Sequence, residues 1–338
     1  MQPSNDELQL LKAQILEMRA HSRNEHRRLR VLGGLAVATV AAAMLVSNRS
    51  STAIAQSSGS DLTSRVAALE HKTQFMGSDS NTLTTTFSGC NLRVVDGSGS
   101  TWGAATDSLG NGLGNIIIGY NEHPNSPNRT GWHNLIVGDY NNYSSYGGIV
   151  AGTNNAISGD FASVTGGAGN SATGTCASVT GGSQNSAQGQ DSAISGGSTN
   201  TTVGINASVS GGVSNLAQGS FASVTGGYTN KAWGNWASIS GGSYNAANGY
   251  FSTIAGGDNN VTNAQQSAVT SGRYNVANGQ YSAVTGGNHN MTMGAFSSIC
   301  GGYGGSTSSS ALSSCITGGY EDYQNTQNGW MGGSLHSP

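Results

Sequence analysis

The chain has 338 residues, of which 53 are Gly and 4 are Pro, and only 9% carry charge, for a net charge of −3. So low a charge is not that of an ordinary disordered chain. Gly without a G-X-Y period excludes collagen, and the slightly acidic balance argues against a nucleic-acid-binding body. A polar, Gly-rich chain of this kind can still fold by stacking one short unit many times.

Residues 1–30 are polar but carry Leu8, Leu11, Ile15 and Met18, the 3-4-3 spacing of one side of a helix. Residues 31–46 are an uninterrupted apolar run behind Arg27, Arg28 and Arg30. Sixteen residues is short for a membrane span and long for a signal-peptide core. Ala53-Ile54-Ala55 before Gln56 has the form of a cleavage site, so 31–55 reads as either a cleaved signal or a retained anchor. Both readings place residues 56–338 at the cell surface or outside the cell, because the Arg cluster stays in the cytoplasm. The membrane is expected as a partner only through this segment.

Residues 61–76 carry a second heptad pattern, Leu62, Val66, Leu69, Thr73 and Met76, uninterrupted by Pro or Gly. This spacing predicts a short coiled coil and therefore oligomerisation. Residues 77–115 hold two candidate strands, around Leu83–Phe87 and Leu92–Val95, and read as an N-terminal cap.

A 15-residue repeat dominates the rest. One column is Asn: Asn155, Asn170, Asn185, Asn200, Asn215, Asn230, Asn245, Asn260, Asn275 and Asn290. A second is aliphatic, from Ile149, Val164 and Val179 through Ile299, and a third is Gly, as in Gly166-Gly167 and Gly226-Gly227. The consensus A-S-V-T-G-G-x-x-N-x-A-x-G-x-x contains two period-two segments, each four or five residues long, separated by Gly-rich corners. The predicted fold is all-β: a parallel β-solenoid, a flattened roll of 15-residue coils over residues 116–320, preceded by the N-terminal helix. Val or Ile with Ala fills a thin core, and stacked Asn amides are expected to bond to one another along the axis. One coil buries one or two aliphatic side chains, worth about 1.5–3 kcal/mol each. Ordering each of its residues costs about 1–2 kcal/mol, so no coil folds alone.

Ile116–Gly119 and Leu135–Gly138 read as early coils, with Asn121–Trp132, which contains Pro124 and Pro127, looping out between them. Ile316 follows Ile299 by 17 residues, which predicts a break in register, and residues 321–338 read as a tail. Cys300 and Cys315 fall on adjacent coils, about two residues apart along the strands, a separation of roughly 8 Å that an unstrained disulfide does not span unless inserted residues change the register.

The pattern N-x-A-x-G-x-x-[AS]-x-[VI]-x-G-G, seen in Asn170–Gly182, Asn215–Gly227 and Asn230–Gly242, resembles the head repeats of trimeric autotransporter adhesins of the YadA-like type. The resemblance covers about residues 116–320. It implies a left-handed β-roll, trimerisation, surface display and adhesion to host or matrix molecules. The long stalk after the head and the C-terminal barrel of that family have no counterpart in this sequence, whose last 30 residues hold no amphipathic barrel strands.

One further column is mostly aromatic: Tyr146, Phe161, Cys176, Asp191, Asn206, Phe221, Trp236, Phe251, Gln266, Tyr281 and Phe296. Phe221, Trp236, Phe251, Tyr281 and Phe296 are its candidate ligand-binding residues, for an extracellular glycan or protein. The alternative is a ladder that seals a corner or a subunit interface, and the composition of the column favours that alternative. Catalysis fits poorly. Asp160, Asp191 and Asp258 sit at different phases of the repeat, and His123, His133 and His289 lack metal-ligand spacing. No cofactor or metal is expected. The reading is a non-catalytic structural or adhesin-like fibre protein. The alternatives are a solenoid glycan-degrading or phage-tailspike-type enzyme and, on the Ser/Thr rows such as Ser163 and Thr165, an ice-binding protein. The rows lapse at Ala255 and Cys300, against the last of these.

Overall fold

The computed structural model describes residues 54–101, 112–122 and 128–332. The helical segment expected over 1–30, the apolar run and most of 31–55 lie outside the described residues, as do His123, Pro124, Pro127 and the last six residues of the chain. The chain divides into two compact units, Met1–Leu92 and Arg93–Pro338.

In the first unit, helix α1 spans Ile54–Thr73. It is followed by an antiparallel hairpin of Met76–Asp79 with Thr84–Phe87. Asp79 shapes the turn, its carboxylate accepting from the Asn81 N–H and the Thr82 hydroxyl. These hydrogen bonds, the Asn81 one first, pull its pKa below the usual carboxylate value. The helix is shorter than the heptad pattern suggests: Met76 belongs to the hairpin, and Leu92–Val95 forms no strand.

The second unit is the solenoid. A 15-stranded parallel sheet runs from Ile116–Ile118 to Trp330–Met331, and a 13-stranded one from Asn142–Tyr143 to Tyr323–Gln324. Neighbouring strands are successive coils, so Ser178 pairs with Ser163 and Val179 with Val164, while Ala187 pairs with Ala172. Most strands are two residues long, shorter than the repeat suggested. Left-handed backbone on both sides cuts them short: at Phe161 (φ 58°) just before Ala162, and at Gly167 (φ 83°) just after Gly166. A third parallel line of single bridges, Ala168 to Ser183 to Ser198 and onward to Tyr320, gives each coil a further flank.

The core follows the period-two pattern. Val164, Ala162 and Ala172 are fully buried, and the same positions are buried in the coils that follow. The aliphatic column differs at its first member. Val150, and not Ile149, stacks on Val164, because the coil before it is 14 residues long, pairing Ile136 with Val150. Ile149 points outward. At the other end the register does not break. Ile316 stacks on Ile299, and the two extra residues are absorbed in the corner around Ser308–Ser313. Both sheets continue into the segment expected to be a tail, through Tyr323–Gln324 and Trp330–Met331.

Two glycine columns are required by contact as well as by turning. The carbonyl of Gly242 leaves no room for a Cβ on Gly227, where φ is 91°. A Cβ on Gly219 would land on the carbonyl of Gly234 although its φ is unremarkable. The coils approach each other backbone to backbone there.

Candidate functional site

The Asn column forms a continuous ladder, but the amides do not bond to one another as expected. Asn170 Nδ2 donates to the carbonyls of Gly166 (3.2 Å) and Gly182 (3.0 Å), and its Oδ1 accepts the backbone N–H of Asn185 at 2.9 Å. The same three bonds recur at Asn155, Asn185, Asn200, Asn215, Asn230, Asn245, Asn260, Asn275 and Asn290. Each buried amide therefore satisfies backbone groups that the corners leave unpaired. The ladder starts earlier than the repeat suggests, at Asn121 and Asn141, and ends by accepting from the N–H of Gly305. A second short ladder, Asn115 to Asn134 to Gly148, ties the first coils together at the opposite corner. It escaped sequence reading because its steps are 19 and 14 residues.

The aromatic column stands at the corner preceding each buried Ala. Phe161, Phe221, Trp236, Phe251, Tyr281 and Phe296 all adopt left-handed backbone, with φ between 57° and 60°. That conformation costs an L-residue roughly 1–2 kcal/mol. It is held by backbone bonds to the coil before, such as Trp236 N–H to Ser220 O at 2.9 Å. The rings stack: Phe221 on Trp236 at 4.1 Å and 5°, Trp236 on Phe251 at 5.7 Å, and Tyr281 on Phe296 at 4.9 Å and 3°. Gln266 interrupts the line between Phe251 and Tyr281, and a separate stack of Trp132, Tyr146 and Phe161 sits near the entrance. The rings spend their faces on each other and present edges to solvent, each still 42–61% exposed from Phe221 to Phe296. A sugar ring seeks an open aromatic face, which a continuous stack offers only at its ends. The geometry favours contact with protein or sealing of the corner.

A second aromatic line at the opposite corner was not singled out from the sequence. Tyr228 meets Tyr244 edge-on at 5.3 Å, Tyr274 lies against His289 at 4.9 Å, and Tyr303 stacks on Tyr320 at 5.2 Å. Among them Arg273 pairs with Asp258 at 2.9 Å and lies over the Tyr274 ring. Hydrogen bonds from Ser243, Asn259 and Arg273 hold Asp258 below the usual carboxylate pKa, and a hydrogen bond with Tyr228 raises that of Tyr244. The signal was available: these residues lie one or two positions before each ladder Asn, or before Gly305 and its counterpart.

The carboxylates considered for catalysis stand apart. Asp160 accepts from Ser145, Asp258 pairs with Arg273, and Asp191 occupies a corner position in the aromatic column. Among the described residues no group of three or more His, Cys, Asp or Glu side chains could hold a metal, and no helix is long and apolar enough to cross a membrane. His133 is part of a local clasp, its Nε2 accepting the Asp96 N–H at 3.2 Å. The outward face of the long sheet carries only a shallow dimple, lined by small side chains including Ser238, Thr253 and Ala268. The chain matches no protein-family model and no curated protein.

Proposed function

We propose that this chain is a non-catalytic, exported fibre or adhesin-like protein that works as a homo-oligomer and meets an extracellular glycan or protein along the corners of its solenoid. The observation that carries the reading is in the first unit. Every residue from Asp61 to Leu92 is exposed in a single chain, with Leu62 at 61%, Val66 at 44% and Leu69 at 60%. A lone helix of this length and a lone two-stranded hairpin are marginal in water. They gain stability when the heptad residues pack against copies of themselves. The likeness of the repeats to YadA-like heads supports three copies and surface display, and the apolar run at 31–46 supports export.

Native mass measurement and chemical cross-linking of the chain from Gln56 onward test the assembly, with a trimer expected. A monomer at micromolar concentration would remove the central claim. Binding to an array of glycans and matrix proteins tests the second part. Loss of a captured ligand on Trp236→Ala would place the contact on the aromatic corner, and retention would move it to the Tyr228–Tyr320 line.

A further inference from the structure

The outward face of the long sheet has two columns of small side chains, represented by Ser163 and Thr165. Ser, Thr or Ala fills them from Ser163 to Ser298 and Thr285, and two thiols then follow, Cys300 and Cys315. The 17-residue step sets Cys315 opposite Ser298, and the Cys300 N–H donates to the carbonyl of Ile316 at 2.9 Å. The two cysteines are therefore diagonal neighbours on one face of adjacent strands. Diagonal neighbours lie about 7–8 Å apart, whereas disulfide Cα atoms lie about 4.4–6.8 Å apart. Both are free thiols. They nevertheless sense one another: burial, then the Cys315 charge and a hydrogen bond with Cys315, push the Cys300 thiol up.

Two thiolates that each sit about 2.3 Å from a shared metal ion span about 4.6 Å, a gap that a disulfide of about 2.0 Å cannot bridge. We propose that Cys300 and Cys315 form a two-thiolate site for one soft metal ion of low coordination number, such as Hg(II) or Cu(I). Thiolate donors select such ions. The flanking groups on the face, Ser298 and Thr317, are hydroxyls and compete weakly for a soft ion. Binding replaces two S–H bonds by two metal–sulfur bonds and releases two protons to solvent, with no change of oxidation state.

The test uses the full chain carrying Cys90→Ser and Cys176→Ser, so that only this pair of thiols remains. HgCl2 is titrated while native mass, thiolate-to-metal absorption and proton release are followed. One Hg(II) per chain with two protons released is expected. Returning either position to Ser, the residue common elsewhere in these columns, should weaken binding roughly 100-fold or more, the gain that chelation gives over a single donor. Two Hg(II) ions per chain, unchanged affinity in the single-thiol variants, or a chain lighter by two hydrogens after standing in air would each overturn the site, the last by showing a disulfide.

Discussion

The solenoid and the N-terminal helix–hairpin solve the problem of a short structural unit in opposite ways. From Asn121 to Gly305 each coil passes its buried amide to the backbone of the next, and Val, Ile and Ala are covered by the same chain. In the helix–hairpin, Leu62, Val66 and Leu69 on α1 and Met76 and Phe87 on the hairpin are all exposed. A 15-residue period lets one chain complete itself by stacking, whereas a heptad of barely two turns is completed by other chains. Perturbing either region should leave the other largely intact, and that independence can be measured.

The largest effect is expected at the ladder. Asn230→Ala leaves the Asn245 N–H without its acceptor and withdraws a donor from the carbonyls of Gly226 and Gly242. Each buried group left unpaired costs about 1–3 kcal/mol, so the coils on either side should lose about 3 kcal/mol or more. Hydrogen exchange at the Asn245 amide reads this directly, and the N-terminal helix should exchange as before. Unchanged protection at Asn245 would mean that the ladder is ornament.

On the other side of the comparison, Leu62→Asp with Leu69→Asp places charge in the heptad seam. The oligomer should dissociate at micromolar concentration, while solenoid exchange rates hold. If oligomer mass survives, the subunits meet through the solenoid and not through α1. A smaller loss is expected for Trp236→Ala. It removes the middle ring of the Phe221–Phe251 stack, and such aromatic pairs contribute about 0.5–1.5 kcal/mol beyond their buried area. It also places Ala at a left-handed corner, which tryptophan tolerates no better, so the change in melting of the solenoid isolates the stack.

The period, the columns and the face assignments were legible because burial alternates strictly within Ala162–Gly166 and Asn170–Gly174, and because a solenoid converts sequence distance into spatial neighbourhood. What sequence could not supply was backbone conformation. Nothing in Phe221 or Trp236 announces left-handed φ, which is rare for bulky residues, and so the strands looked longer than two residues. Insertions were misjudged for a related reason. A period assigns Ile149 to the core and ends the roll near Ile316, but a corner can lose one residue or gain two while the stacked strands keep their register. The amide geometry was also hidden: an Asn column has the same signature whether its amides bond to each other or to the backbone.

The smallest expected effect concerns the core and has the opposite sign. Within a coil, the two small buried positions ten residues apart are mostly either both Ala, as in Ala222 and Ala232, or both hydroxylated. Ser192 bonds Thr202 at 2.9 Å, Ser282 bonds Thr292 at 2.7 Å and Ser297 bonds Thr307 at 3.0 Å. Where only one hydroxyl is present, Ser267 turns to the carbonyl of Ala264 at 2.7 Å. The pattern follows from the cost of burying a hydroxyl without a partner. Ser252 and Thr262 break it, since both hydroxyls are buried with no hydrogen-bond partner. Replacing them together, Ser252→Ala with Thr262→Val, removes both polar atoms and keeps the threonine's shape, and should stabilise the neighbouring coils by about 1 kcal/mol. The matched change Ser282→Ala with Thr292→Val deletes a hydrogen bond that is made, and should be neutral or mildly destabilising. Comparing the two pairs by urea unfolding separates an orphaned hydroxyl from a paired one at the same depth of the same fold. Equal effects would show that the Ser252 and Thr262 hydroxyls find each other in solution.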